Sequence, residues 1–296
     1  MKKFLSILFV LFPILGFSQY TPQFSQLINT LEFVNPGYNA SKDLASAVLL
    51  HRNQWTGFEG SPKTYALNVN VPINKWHTGV GVNTVVETRG LITQTNADLS
   101  ACVDVKVTSL SYMTFGLFGG VESKRIDIGR AVWYGELPYS ADKYNSDKLH
   151  VGFGLNYFTP EIHLGASVHY SQLDGSYYEN SESFSYYLNG SYLVNLNEEW
   201  VLKPSFLFRN FSGYSSFDYG VSALYKDIVW IGLSNRFGQA LIFFTDVKVT
   251  DFMRIGYSYD LAISTKNTLN YGSHEIRVDF TLPRKSKAFD RLASVD

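Results

Sequence analysis

From Ala45 almost to the C-terminus the chain alternates apolar and polar side chains in short stretches, and a turn or loop follows each stretch. In residues 149–157, Leu149, Val151, Phe153, Leu155 and Tyr157 fall on one face, and His150, Gly152, Gly154 and Asn156 on the other. Successive side chains on a strand point to opposite faces, so each stretch reads as a two-faced β-strand. About 14 such strands are expected, near 45–54, 63–71, 78–88, 93–105, 112–122, 148–158, 161–172, 183–194, 200–209, 216–225, 228–236, 239–247, 253–260 and 272–281, with 12 or 16 as neighbouring counts. Most have the ~9–11 residues that cross a bilayer at a tilt. The pattern predicts an all-β fold: a transmembrane antiparallel β-barrel with a short non-strand N-terminal segment. A soluble β-sandwich or exported β-solenoid would also alternate, but sandwich strands are usually shorter.

The connections alternate in length as well. Those near 73–75, 108–110, 159–160, 195–199, 226–227 and 248–251 are short, whereas 54–62, 123–147, 173–182 and 261–271 are long. Two further connections on the long side, near 89–90 and 237–238, are short. Membrane barrels place short turns in the periplasm and longer loops outside, so both chain ends are expected in the periplasm. The faces stay in phase throughout. Tyr65, Leu67, Val69 and Val71 share one face, as do Leu99, Ala101, Val103 and Val105, then Ile162, Leu164, Ala166, Val168 and Tyr170, and finally Ile276, Val278 and Phe280. Their alternates include Asn68, Asn70, Asp98, Asp104, His163, Ser167, Arg277 and Asp279, which suit a wet interior and would be costly in lipid. Glycines such as Gly152, Gly154 and Gly165 fall on that inner face, where missing side chains ease curvature. Trp76, Tyr112, Tyr157, Trp200 and Phe252 stand near strand ends, at expected membrane interfaces.

The chain divides into residues 1–18, a secretory signal with Lys2 and Lys3 before an apolar run and small residues Gly16 and Ser18 at the cut; residues 19–44, a possible plug; residues 45–283, the barrel; and residues 284–296, a periplasmic tail. Phe24, Leu27, Ile28 and Leu31 follow helical spacing into the turn signal Asn35-Pro36-Gly37, so the second segment reads as a short helix or irregular stretch. A barrel of about eight strands is filled by side chains and one of ~16–18 holds a channel, so an intermediate barrel needs something in its lumen. After the signal there is no run of ~18 apolar residues, and the mean hydropathy of −0.06 fits a chain in which only half the strand positions face lipid. A formal net charge of −1 argues against a nucleic-acid surface. The single cysteine, Cys102, falls on the polar face and cannot form an internal disulfide.

No phosphate-binding glycine loop, nucleophile elbow or zinc-type histidine pair is present, and no cofactor is expected. His150 and His169 should lie roughly opposite each other on the inner face, with His163, Ser167 and Ser171. Spacing implies no acidic partner to orient them, so they read as lumen lining and not as a metal or hydrolytic site. The connection 123–147 carries Lys124, Arg125, Asp127, Arg130, Trp133, Tyr134, Tyr139 and Tyr144, a mixture found on protein-binding surfaces and also on ordinary polar loops.

Three segments together resemble one family. Asn35-Pro36-Gly37-Tyr38-Asn39-Ala40 is similar to an early N-P-A-Y-x-G pattern. Residues 52–64, with Arg52, Gln54, Trp55, Gly57, Phe58, Gly60, Pro62 and Thr64, match R-x-Q-W-x-G-F-x-G-x-P-x-T. His274-Glu275-Ile276 stands on the last strand. The chain resembles the PorP/SprF family of the type IX secretion system over its whole mature length, departing at Gly37 and Ala40. The resemblance implies an outer-membrane barrel without enzymatic activity, in contact with outer-membrane lipid. It also implies a partner: a secreted surface adhesin, sometimes one used in gliding, or other type IX secretion components. No nucleic acid or small-molecule substrate is implied. A transport barrel for a small or hydrophobic solute is the alternative, and an outer-membrane enzyme the third. Within the signature, Arg52 offers a planar fork of donors and Trp55 a large apolar body with one donor, at the outer end of the first strand. They serve either as a rim clasp for the first hairpin or as a docking patch, and the clasp is the simpler reading.

Overall fold

The computed structural model describes residues 23–26, 29–40, 44–127, 143–171, 183–211, 214–263 and 272–282. The signal, the C-terminal tail, Leu27, Ile28, Arg130, Trp133, Tyr134 and Tyr139 lie outside these residues. Fourteen antiparallel strands follow one another around the barrel, each paired with its sequence neighbour. They are β1 (Ser46–Asn53), β2 (Lys63–Ile73), β3 (Thr78–Arg89), β4 (Ile92–Lys106), β5 (Tyr112–Asp127), β6 (Lys143–Phe158) and β7 (Ile162–Ser171). Then come β8 (Ser183–Tyr192), β9 (Trp200–Phe211), β10 (Tyr214–Tyr225), β11 (Val229–Arg236), β12 (Ala240–Thr250), β13 (Met253–Ala262) and β14 (Ser273–Thr281). Val194–Asn195 prolongs β8, because it pairs with β9 in the same register beyond a break at Leu193. The barrel closes where β1 meets β14, from Ser46 opposite Thr281 to Asn53 opposite His274. No helix among the described residues is long and apolar enough to cross a membrane.

Alternation decides which face goes where. In β1 the even positions are buried and point inward, including Val48, Leu50 and Arg52, while Leu49 is exposed. Leu67, Leu99, Leu164 and Ile276 look outward, and Asn68, Asn70, Asp98, Ser167 and Arg277 look inward. Trp76, Trp200 and Phe252 ring the end of the barrel that carries the short turns. Tyr65, Phe184, Tyr186, Phe217, Tyr219 and Tyr257 form a second outward band toward the other end, giving the two aromatic girdles of a bilayer-spanning barrel. At a short turn the exposed Lys226 pairs with Glu199 at 3.0 Å, and that bond raises the pKa of its ammonium.

One expectation changes in detail. Strands β5 and β6 pair out to Asp127 and Lys143, so the two ends of the connection expected over 123–147, residues 123–127 and 143–147, are ladder, and 128–142 lie outside the described residues. Lys124 and Arg125 stand on β5 and Tyr144 on β6. Outside the bilayer both faces of a strand are wetted, so alternation fades while the ladder continues. The segment before β1 is the short helical and irregular stretch expected: among its described residues Leu31–Phe33 and Pro36–Ala40 are short 3-10 helices. Phe24, Leu31, Phe33, Val34 and Tyr38 are buried, clustered with Val48, Leu50, Ala66, Val85, Phe158, Tyr187 and Leu207 of the inner wall. The segment is a strap through the lumen, and its apolar residues face an apolar sector of that wall.

Candidate functional site: strap, seam and signature loop

The inner wall near the closure is built from charges at alternate positions of β1 and β9–β14. Arg52 is 2 % exposed and donates to Asp260 Oδ2 at 2.8 Å, while Glu275 Oε2 stands 3.6 Å from its Nη1. Arg236 bonds Asp218 at 3.2 Å, and Arg209 bonds the same carboxylate at 2.9 Å. Asp246 takes Arg277 at 2.5 Å and Arg254 at 2.7 Å. Charges so deep are retained only when paired and hydrogen-bonded. Each arginine here meets a carboxylate on its own or a neighbouring strand, or one strand further.

This ladder grips the strap through its backbone. Ser25 and Gln26 donate their N–H groups to Glu275 at 2.7 and 2.9 Å. The Ser25 hydroxyl meets Arg52, Arg236 donates to the Phe24 carbonyl at 2.9 Å, and Arg277 donates to the Asn29 carbonyl at 3.2 Å. Irregular backbone inside a barrel needs such partners, since it has no ladder of its own.

On the facing wall the strap meets β2–β7. Ser167 and His169 both reach the Val34 carbonyl, at 2.7 and 2.6 Å. Asn35 bonds Asn156 at 2.9 Å and its side-chain oxygen accepts from the Gly37 N–H. Asn39 donates to Ser100 at 2.8 Å and accepts from Asn70 at 2.9 Å. Tyr38 packs 5.4 Å from the His163 ring and 6.0 Å from Phe158. Gly116 and Gly154 line the slot: a methyl group on either would overlap Pro36–Gly37 or Asn35. Their smallness therefore makes room for the strap, a closer reason than the curvature expected from sequence. What space is left beside Glu32, Phe33, Val34 and Asn39 is a cavity of about 20 Å³, enough for roughly one water.

The signature residues occupy the other end of β1. Arg52 and Gln54 are buried on the inside. The loop that follows is tied to both neighbours: Gln54 N to the Pro62 carbonyl at 2.9 Å, Thr56 N to the Gly272 carbonyl at 2.9 Å, Trp55 N to Ser273 Oγ at 3.2 Å, and Gly90 N to the Gly60 carbonyl at 2.9 Å. Gly57 and Gly60 sit at φ 105° and 76°, a region open to glycine, and Trp55 takes φ 47°, uncommon for a large residue. Phe58 projects outward at 46 % exposure. The dipeptide on β14 splits between faces. Glu275 joins the strap, and His274 bonds the Tyr257 hydroxyl at 2.7 Å in the outer girdle.

The structure thus brings Asn35, Pro36 and Tyr38 into the lumen and joins Arg52 to Glu275. Trp55, Gly57, Phe58, Gly60 and Pro62 stay at the rim. Sequence reasoning missed Asp260, Arg236, Asp246, Asn156 and the strap residue Ser25. The inward parity of the four strand residues was readable, but their pairing was not. It also missed the carboxylate beside His150, whose Nδ1 lies 3.0 Å from Asp98 Oδ1. His150 and His169 are diagonal, not opposite: the register sets His150 across from Ser171 and Gly152 across from His169, with the rings 5.6 Å apart. Ser167 and His169 are occupied by the strap. Among the described residues no group of three or more His, Cys, Asp or Glu side chains is placed to hold a metal.

A closed antiparallel cylinder with an apolar exterior, two aromatic girdles and a polar, ion-paired interior is a β-barrel membrane protein of the outer-membrane type. The sequence matches the family model "Type IX secretion system membrane protein PorP/SprF" over residues 16–280. The chain belongs to that family. Among solved structures it is similar to the monoaromatic hydrocarbon channel CymD, with 9 % identity over 92 % of this chain and 96 % of that one, TM-score 0.49. It is also similar to a FadL homologue of Pseudomonas aeruginosa, with 12 % identity over 89 % and 95 %, TM-score 0.48. A third is the toluene transporter TbuX of Ralstonia pickettii, with 10 % identity over 87 % and 92 %, TM-score 0.46. No curated protein matches the sequence.

Proposed function

We propose that this protein is a non-enzymatic outer-membrane anchor of the type IX secretion system, which holds a secreted surface adhesin at the cell surface or supports its export. Joining the periplasmic secretion and gliding machinery is the other form of the same role. One observation carries the choice of anchor over channel: the lumen is crossed by a strap bonded to both facing walls, from Glu275 on one side to His169 and Asn156 on the other. In this reading the short turns and the C-terminal end of β14 face the periplasm, and the signature loop faces out. The loop is first a clasp that fastens the β1–β2 hairpin to the start of β14 and to the β3–β4 turn. Phe58, which the clasp presents to the exterior, is the contact offered to the partner.

Affinity purification of the tagged protein from native membranes tests the proposal. One type IX-secreted surface protein should copurify with it. A Phe58→Asp variant should lose that protein while keeping the barrel level and the heat-dependent shift in gel mobility of a folded barrel. Absence of any such partner, together with a large steady conductance in planar bilayers, would move the assignment to a solute channel.

A further inference from the structure

The strap has a direction. Ala45 and Leu282 meet at one rim, where Leu282 N donates to the Ala45 carbonyl at 2.9 Å. Asn39 is near that rim, bonded to Asn70 and Ser100, and Gly79, at the start of β3, lies beside its carbonyl. Phe24 and Ser25 are at the opposite level. Phe24 bonds Arg236, the last residue of β11; Ser25 bonds Glu275, near the start of β14, and Arg52, next to the end of β1. All three positions adjoin the connections that lie across the barrel from Ala45. Between them, Val34 meets Ser167 and His169 on the outer half of β7, and Asn29 meets Arg277 at the middle of β14. Read backward from β1, the chain enters by the rim where β1 begins and climbs the lumen to the other.

With the cut expected after Ser18, five residues precede Phe24. A fully extended chain advances at most ~3.3–3.6 Å per residue, so these reach about 18 Å. The apolar band of a membrane barrel is ~25 Å tall. The way back down is occupied by the strap itself, packed on Val48, Leu50, Ala66 and Val85. The first residue therefore cannot regain the rim from which β1 starts.

We propose that the mature N-terminus is threaded through the barrel and leaves it at the outer mouth, so that the two chain ends lie on opposite sides of the membrane. The sidedness rests on the orientation proposed above; the opposition of the ends rests on the strap and on the cut after Ser18. It replaces the expectation that both ends are periplasmic.

Single-cysteine labelling on intact cells tests this. Cys102 is buried and bonded to the Gly79 carbonyl, and a Cys102→Ser background removes it. Thr21→Cys and, independently, Gln19→Cys are compared with Ser294→Cys, using a membrane-impermeant maleimide before and after permeabilisation. The heat-dependent mobility shift confirms that each barrel is folded. Expected is labelling at 19 and 21 on intact cells, at least fivefold above the Ser294→Cys signal, which rises only after permeabilisation. Three results would overturn the proposal. Labelling of both ends only after permeabilisation breaks the strap argument and leaves the orientation intact. Labelling of Ser294→Cys alone on intact cells breaks the orientation. No labelling at 19 or 21 under either condition would keep the terminus inside the lumen.

Discussion

Single side chains carry much of this barrel's specificity. Arg52 is the strongest case, since its guanidinium serves the β1–β14 closure and the strap together. Arg52→Ala leaves Asp260 and Glu275 buried without it, a loss of about 3–5 kcal/mol for a broken buried pair. Arg52→Lys supplies one point charge in place of a planar fork and should recover only part of that loss. The measurement is the temperature at which the folded gel band converts to the unfolded one, ordered wild type, Lys, Ala. On the outside, Leu99 is 68 % exposed near the middle of β4, whereas Val105 is close to the short-turn rim. Leu99→Lys should cost about 2–4 kcal/mol and Val105→Lys about 0–1, read by denaturant unfolding in lipid. Equal costs would contradict the placement of Leu99 at mid-membrane and Val105 at the rim.

At the scale of elements, the strap and its slot invite a steric test. Gly116→Leu places a side chain where Pro36–Gly37 run. The barrel should still assemble, because its ladder is untouched, but the strap should be expelled and become open to added protease. Deleting residues 19–40 should likewise raise ion conductance in planar bilayers; unchanged conductance would mean that the strap does not obstruct the lumen.

How far these elements could be read in advance differs by element. β7 and β14 were legible almost to the residue, because a strand with lipid on one side and water on the other must alternate. The outer ends of β5 and β6 were not, because beyond the membrane nothing enforces alternation. The strap was legible as an interruption in the pattern, but not as a path. Its contacts join residues more than two hundred positions apart, such as Ser25 and Glu275. Arg52 was legible as important through its place in the signature, and its partner Asp260 only through the fold.

Taken whole, the molecule is a cylinder with its own beginning packed inside it. The clasp at the rim, the ion-paired wall and the apolar sector under Phe33 and Val48 all work against an open pore. Shortening the chain before Ser273 removes β14, and with it both the closure and the acceptor for Ser25 and Gln26. Such a truncation should release the strap as well as open the seam, visible as proteolysis at both places at once. The bond between Ser25 and Glu275 has a further consequence, for time. Residues made at the start of synthesis cannot settle until the final strand has arrived, and contacts of such long range slow folding. The whole polypeptide must be held unfinished and soluble until its last stretch is delivered, and then completes its two ends in a single event.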